Sequence, residues 1–390
     1  MVHNRVKIGK EVVTKEYRSK IAADKEAEIL KACKGTNLTA TLQSQHGTTL
    51  QMSCLKGVSL LELLHQSDYN QISIESMQQT IKALCSWLDA FESHTQAVLG
   101  KTVVLNDLHL NNFLLCGDKV VGVDFEIWHF GQPEENTAIL LAYLESYWLK
   151  TEGLKETLCR TVRLCRRSEE WQLVENTRIQ KQLAIAKRRL IRPLLKQSTA
   201  VILTGGQSSR MEGVPKQTLQ WYGYTFLEHL IFCLDCFDTC VCSVQQGFEE
   251  NCILPCWKDE ISGQGPLAAL ATILGNATTP LVFVTACDTP LLTRELIAKI
   301  YQEMQQESDY CIVKTSDGKI HPLCGIYRKS MESIIRTNLQ QGNRKIMLCL
   351  EQAKGTIVQL DDHLSQCLLN VNTPEIYQTI QDITPLSHVF

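Results

Sequence analysis

The chain has 390 residues, room for two or three domains at ~100–200 residues each. A hydrophobic fraction of 44%, a charged fraction of 21% and a net charge of −3 allow a core in each half and exclude any overall pull toward nucleic acid or acidic lipid. The first twenty residues lack the apolar stretch of a signal peptide, and no run reaches the ~18 apolar residues of a membrane span, so with its seventeen cysteines a cytoplasmic protein in a reducing compartment is expected.

Residues 12–15 read as a strand, 22–33 as a helix and 48–54 as a second strand. Residues 60–99 read as mainly helical, with apolar positions three and four apart. After Gly100 come Val103-Val104-Leu105, a polar loop, and a hairpin whose strands, 113–115 and 120–123, flank Gly117-Asp118.

That polar loop is Asn106-Asp107-Leu108-His109, with Asn112 five residues after Asp107, and the hairpin ends in Asp124-Phe125-Glu126. Two carboxylates and an amide so spaced around a hairpin can bring one base and two metal ligands to a triphosphate. The constellation resembles the aminoglycoside phosphotransferase and small protein kinase-like superfamily. The resemblance implies an α+β, two-lobed, kinase-like domain over residues 1–170 that binds ATP. Lys15 would be its nucleotide-binding strand lysine, Glu26 or Glu28 the helix partner, residues 52–60 the hinge, Asp107 the base, and Asn112 and Asp124 metal ligands. Two features depart from the pattern: Gly9 stands alone where a glycine-rich loop is usual, and Leu105 replaces a frequent His. A non-catalytic module that binds nucleotide or docks a partner is therefore the competing reading, and the sequence does not name an acceptor. His109 reads as a structural hydrogen-bonder.

Helices follow from about Glu134. The last, residues 171–196, carries seven basic residues between Arg178 and Lys196 and no acid. It reads as a solvated, basic helical linker over residues 171–197, and no nucleic acid partner is expected.

From Ser198 the pattern changes. Apolar runs at 200–203, 240–244, 281–286 and 310–313 alternate with helical segments at 225–237, 266–274 and 294–305. This is the signature of an open, mostly parallel sheet with helices on both faces, whose ligands sit beyond the carboxyl ends of the strands. An α/β, Rossmann-like domain over residues 198–390 is predicted. Its first strand runs through Leu203 and Thr204 into Gly205-Gly206, and the loop beyond carries Arg210 and ends at Lys216. Paired glycines let backbone approach a base or phosphate, and the two cations can neutralise a triphosphate. No Gly-Lys-Ser/Thr follows, so this is not a Walker loop.

Residues 203–216 resemble the signature of the MobA family of molybdenum cofactor guanylyltransferases. Further segments follow in the family's order: Lys258-Asp259 before Gly265-Pro266-Leu267, then Cys287-Asp288-Thr289-Pro290, His321-Pro322, Gly342-Asn343-Arg344-Lys345, and Asn370-Val371-Asn372-Thr373-Pro374-Glu375. The resemblance spans about residues 198–380. It implies a nucleotidyltransferase fold that moves GMP from GTP to molybdopterin, with Mg²⁺, releasing pyrophosphate. Leu203, Thr204, Gly205, Gly206, Lys216 and Asp259 would bind the nucleotide, and Lys216 and Arg210 would supply catalytic charge. Asp288 would hold the metal, and His321, Arg344, Asn370 and Asn372 would face the substrate. Proteins that deliver or receive molybdopterin are the implied partners, and no membrane is.

Two departures bear on the base. Glu212 stands where the family usually has Gly, and Ser243 lies near a family Asn that helps recognise base or ribose. A hydroxyl lacks the donor–acceptor pair of a carboxamide, so a cytidylyl- or sugar-phosphate nucleotidyltransferase is the alternative, although the glycine pair after Leu-Thr favours guanine. Taken singly, Asp288 could instead cap a helix and the Asn370–Asn372 pair could shape a turn. The cysteines from Cys233 to Cys256 read as core packing, with a metal or cluster site as the alternative.

Overall fold

The computed structural model describes residues 4–204, 215–244, 252–260 and 265–383, and the chain divides into two units, residues 4–186 and the part from Lys187 onward. The first unit opens with β1 (Arg5–Ile8), β2 (Val12–Glu16), α1 (Lys20–Ala32), β3 (Leu42–His46) and β4 (Thr49–Ser53). The strands form an antiparallel sheet in the order β1-β2-β4-β3, with Lys15 opposite Leu50. Ser19 starts α1 by accepting a hydrogen bond from the Ala22 N–H. The helix then buries Ile21, Ala22, Ala27, Ile29 and Leu30, and among them one carboxylate, Glu26. A buried carboxylate is costly without a partner, so Glu26 marks this face as more than packing.

A second, largely helical part follows. It holds β5 (Val58–Ser59), α2 (Leu60–Asp68), α3 (Ile74–Leu99), β6 (Val103–Leu105), β7 (Phe113–Cys116), β8 (Lys119–Gly122), β9 (Trp128–Phe130), α4 (Pro133–Ser146) and α5 (Leu154–Cys165). The apolar spacing over 60–99 continues through a break that it does not reveal. Asn70 takes φ 57°, and α3 restarts on Ser73, whose hydroxyl accepts from the Ser76 N–H at 3.1 Å. The hairpin β7–β8 packs on Trp87 and Phe125 so closely that a Cβ on Gly122 would lie 2.6 Å and 2.7 Å from their rings. That contact holds the hairpin, and the loop before it, against α3.

The basic helix is α6 (Trp171–Lys196). The division between the units falls inside it, after Ala186, and not at its two ends. Its opening turns are bound into the first unit: Arg178 Nη1 pairs with Glu145 at 2.5 Å, and buried Lys181 donates to the Asn106 carbonyl at 2.5 Å. Two of the seven cations therefore serve the fold, which charge counting alone does not distinguish.

The second unit contains β10 (Ser198–Leu203), β11 (Gln220–Trp221), β12 (Tyr224–Thr225), α7 (Phe226–Cys233), β13 (Thr239–Val244), β14 (Cys256–Lys258), α8 (Pro266–Asn276) and β15 (Leu281–Ala286). It continues with α9 (Arg294–Glu303), β16 (Tyr310–Lys314), β17 (Ile320–Arg328), α10 (Met331–Gln340), α11 (Ile346–Leu350), β18 (Gly355–Gln359), α12 (Asp362–Gln366) and α13 (Pro374–Gln381). Its main sheet has the order β14-β13-β10-β15-β17-β16-β18. The first four strands run parallel, β17 is antiparallel to both neighbours, and β16 and β18 pair in parallel. This is the predicted α/β architecture, with one reversed strand that the apolar runs did not show.

Alternation along β15 explains the layers. Val282 and Val284 join a core with Leu270 and Ile273 of α8 and Met331 and Ile335 of α10. Phe283, between them, stacks instead on Phe237 and Tyr301 at 5.5 and 6.3 Å. All six residues of β10 are buried, as expected of a central strand covered on both faces. No helix among the described residues is long and apolar enough to cross a membrane.

Candidate functional sites

The carboxyl ends of β14, β13, β10 and β15 form one rim of the second unit. Asp259, Ser243, Thr204 and Asp288 stand along it in that spatial order, each at or just beyond its strand end. At ~4.8 Å between neighbouring strands the row extends about three spacings, ~14 Å. Thr204 binds the Ser243 carbonyl with both its N–H (3.0 Å) and its hydroxyl (2.9 Å). The Ser243 hydroxyl donates to Asp259 Oδ1 at 3.0 Å. Burial raises the Asp259 carboxyl above its usual value, and the Ser243 bond pulls part of the way back.

Asp288 is fixed from two sides. The Cys287 N–H donates to the Leu203 carbonyl at 3.0 Å, tying this turn to the end of β10. The Val371 N–H donates to the Asp288 carbonyl at 2.8 Å, bringing in the segment after α12. Lys216 opens a short 3-10 turn after Pro215 and sends its ammonium to Asp288 Oδ2 at 3.1 Å and to the side-chain oxygen of Asn372. Lys216 and Asp288 are each about one-fifth exposed, so the pair is reachable from solvent. Asp288 caps no helix: Thr293 does that for α9, accepting from the Leu296 N–H.

Asn370 and Asn372 lie in extended loop rather than on a strand. Val371 between them is fully buried with Leu219, Trp221 and Phe226, which keeps both amides out of that core. His321 is buried near the start of β17, with Nε2 3.4 Å from the Thr315 hydroxyl. Burial and Lys319 lower its imidazole, while Asp317 and Asp288 oppose the shift. Arg344 is exposed in the turn between α10 and α11, and no hydrogen bond or ion pair joins it to Lys216, Asp288 or Asn372. Gly205, Gly206, Arg210 and Glu212 lie outside the described residues.

The first unit holds a separate constellation. Lys15, buried on β2, lies 2.9 Å from Glu26 Oε2, 2.6 Å from Asp124 Oδ1 and 2.6 Å from Glu126 Oε1. Of the two candidate partners on α1, Glu26 is the buried one and Glu28 is exposed. Burial works against charging Lys15, but the three carboxylates outweigh it and hold the ammonium well above its ordinary value. Burial likewise raises Glu26 and, more strongly, Glu126, whereas Lys15 holds the part-exposed Asp124 below the usual carboxylate value. Tyr17 donates to Glu26 at 2.5 Å and Asn4 to Glu126 at 2.5 Å. Among the described residues Glu26, Asp124 and Glu126 are the one trio of His, Cys, Asp or Glu whose ligand atoms converge within 4.8 Å. The cation among them is the protein's own Lys15.

Asp124 sits just beyond β8 with φ 69°, a left-handed conformation rare outside glycine and tolerated by Asp. Asn112 is buried and donates to the Asp107 carbonyl at 3.1 Å, while its own carbonyl accepts from the Val123 N–H at 2.8 Å. These bonds join the Asp107 loop to the strand end that carries Asp124. His109 accepts from the Asn111 N–H through Nδ1 and packs edge-on against Tyr143 and Tyr147. Sequence reasoning assigned no role to Glu126 or Tyr17, although Glu126 stood in the quoted motif. Its signal was an acidic residue two positions after Asp124 in the Asp124-Phe125-Glu126 run.

Comparison with known proteins places the second unit. Residues 200–355 match the family model described as a MobA-like NTP transferase domain. A probable molybdenum cofactor guanylyltransferase of Carboxydothermus hydrogenoformans is 37% identical over 194 residues, covering 48% of this chain and 97% of the relative. The molybdenum cofactor guanylyltransferase of Vibrio cholerae is 30% identical over 178 residues, 45% of this chain and 87% of the relative. Among solved structures, the molybdopterin-guanine dinucleotide biosynthesis protein A of Archaeoglobus fulgidus superposes with TM-score 0.42 at 22% identity, covering 47% and 97% of the two chains. The chain is thus an enzyme of the nucleotidyltransferase class. Through its C-terminal half it belongs to the molybdenum cofactor guanylyltransferase family.

Proposed function

We propose that the second unit transfers GMP from GTP to molybdopterin, forming a molybdopterin guanine dinucleotide and pyrophosphate. The observation that carries this reading is the meeting of Lys216, Asp288 and Asn372 at the rim where strand ends present a ligand site. An oxygen of the pterin's phosphate attacks the α-phosphorus of GTP, and the bond to the α,β-bridging oxygen breaks. Such a displacement depends on positioning and charge neutralisation more than on covalent chemistry.

Lys216 neutralises phosphate charge, and Arg210 adds a second cation from the loop. Asp288 offers a part-exposed carboxylate, an oxygen donor of the kind a hard cation takes. It would hold Mg²⁺, which supplies charge stabilisation on the phosphates. Leu203, Thr204, Gly205 and Gly206 line the nucleotide. Asp259, some three strand spacings along the rim from Asp288, meets its base or ribose end. His321, Arg344, Asn370 and Asn372 are assigned to the pterin side. A cytoplasmic setting goes with this reading, and proteins that deliver or receive molybdopterin would be its partners. Incubating the full chain with Mg-GTP, Mg-CTP and molybdopterin tests the reading: dinucleotide from GTP alone supports it, and an equal yield from CTP moves the assignment to cytidylyl transfer.

For the first unit the reading is an ATP-dependent phosphotransferase, carried by the Lys15–Glu26 pair beside Asp124. Lys15 would bind the triphosphate with Glu26 fixing it, and Asp107 would accept the acceptor's proton. Asn112 and Asp124 would be the metal ligands at the phosphates, Asp124 being 44% exposed. ATP turnover that disappears in Asp124→Ala would separate this reading from a non-catalytic nucleotide-binding or docking module.

A further inference from the structure

We infer that Cys252 and Cys242 form a peroxide-reactive thiol pair whose disulfide weakens nucleotide binding at the rim of the second unit. The link to the nucleotide rests on the reading of Asp259 given above, whereas the thiol chemistry does not depend on it.

The pair is placed by the edge of the main sheet. Cys242 on β13 and Cys256 on β14 are direct neighbours in parallel register, and the Cys242 N–H donates to the Pro255 carbonyl at 2.9 Å. Neighbours in register point to one face of a sheet, so the two thiols leave it on the same side. Cys252, four residues before Cys256, completes the group, with the thiols of Cys242 and Cys256 both hydrogen-bonded to its sulfur. Cys256 also reaches the Leu254 carbonyl at 3.5 Å, whereas Cys242 and Cys252 are each other's strongest influence. All three are free thiols.

Their surroundings assign the roles. Cys242 is fully buried, and Cys252 is half-buried and so reachable from solvent. The hydrogen bond from Cys242, helped by the Leu254 N–H and Cys256, outweighs burial and holds the Cys252 thiol down to about 6. The same bond, together with burial, pushes the Cys242 thiol up. A reachable thiolate beside a protonated, buried thiol is the arrangement of an attacking and a resolving cysteine. The Cys252 thiolate attacks one oxygen of hydrogen peroxide, the O–O bond breaks, and the other oxygen leaves and takes up a proton as water. The Cys242 sulfur then attacks the sulfur of the Cys252 sulfenic acid, the S–O bond breaks, and the thiol proton leaves with that oxygen as a second water. The two thiols together lose the two electrons that the peroxide gains.

A covalent bond draws two sulfurs closer than a hydrogen bond does, so β13 shifts at Cys242 when the disulfide closes. The next residue is Ser243, whose carbonyl takes both Thr204 bonds and whose hydroxyl holds Asp259. The Asp259 N–H is tied to the same strand, donating to the Val244 carbonyl at 3.0 Å. The strand that carries the resolving thiol therefore also sets the carboxylate at the base end of the nucleotide.

The test treats the full chain with hydrogen peroxide and maps disulfides by mass spectrometry of unreduced peptides, with the Kd for Mg-GTP measured before and after. The expected result is a Cys242–Cys252 bond, reversed by dithiothreitol, and a Kd raised ~3–10-fold, the scale of one lost hydrogen bond. Cys252→Ser should form no bond and keep its Kd under peroxide. Cys242→Ser should stop at a Cys252 sulfenic acid that dimedone traps, a product that misfolding alone would not direct to one residue. Cys252 left reduced by peroxide, or joined to Cys256 instead, overturns the pair. A Cys242–Cys252 bond with the Kd unchanged overturns the link to the nucleotide. Reduced protein that binds no GTP overturns that link together with the nucleotide reading, while the disulfide map still decides the thiol chemistry.

Discussion

Lys216 and Asp288, 72 residues apart in sequence, meet at 3.1 Å, and the same ammonium also binds the side chain of Asn372. Three segments of the family's motif order thus converge at one point on the sheet's rim. In the free protein the pair satisfies itself, and on the reading above a triphosphate takes over the lysine.

Lys216→Ala and Asp288→Ala should each slow nucleotidyl transfer at least ~100-fold, the scale of losing one key electrostatic group. Because both side chains are part-exposed, either change should cost at most ~1 kcal/mol of stability. Steady-state rates beside urea unfolding of the same variants check both halves of the statement. Near-normal rates in both variants would mean that the site lies elsewhere.

Lys15 is the cation that three carboxylates share, so Lys15→Met should destabilise the first unit by ~3 kcal/mol, in the range for breaking a buried pair. Adding Glu126→Gln to that variant should restore part of the loss, since it removes one of the stranded like charges. Chemical denaturation of the two single variants and the double gives the coupling. Strictly additive losses would show that the carboxylates do not depend on Lys15.

Phe283 is fully buried between Phe237 and Tyr301 on the face of β15 opposite the valines. Phe283→Ala should cost ~3–5 kcal/mol, as for large aromatic truncations in cores. Val282→Ala, on the other face, should act independently of it. Urea midpoints of the single and double variants measure this.

His229 is buried with Nε2 2.7 Å from the Trp221 carbonyl, and burial lowers its pKa from the usual value near 6.5. The unfolded chain then binds more protons than the folded one between the depressed and the usual value, so stability rises with pH through that window and is lost as pH falls through it. His229→Gln, which keeps a donor for the carbonyl without titrating, should flatten the difference in unfolding free energy between pH 7.5 and 5.5. An unchanged slope would show that His229 does not carry this dependence.

The sequence made the second unit's strand–helix alternation readable because each buried strand is a short apolar run ended by a glycine, proline or polar turn. The reversal of β17 was not readable: Ile320 to Arg328 pairs antiparallel with both neighbours, and an apolar run carries no direction. Lys216, Asp288 and Asn372 could be named in advance as separate motif members. Their meeting depends on two backbone bonds, Cys287 N–H to Leu203 and Val371 N–H to Asp288, which leave no trace in residue types. In the first unit the choice between Glu26 and Glu28 was open in the sequence. It is decided by which face of α1 packs on the sheet. Lys181 looked like one more solvated cation, but its bond to the Asn106 carbonyl and its place over the Tyr143 ring put it in the interior.

The most direct measurement is the product formed by the full-length protein with Mg-GTP and molybdopterin, read by mass spectrometry and pyrophosphate release. The account predicts one molybdopterin guanine dinucleotide per pyrophosphate, greatly reduced in Lys216→Ala. Absence of the dinucleotide, or a nucleotide adduct that forms as readily when Lys216 is removed, would contradict it.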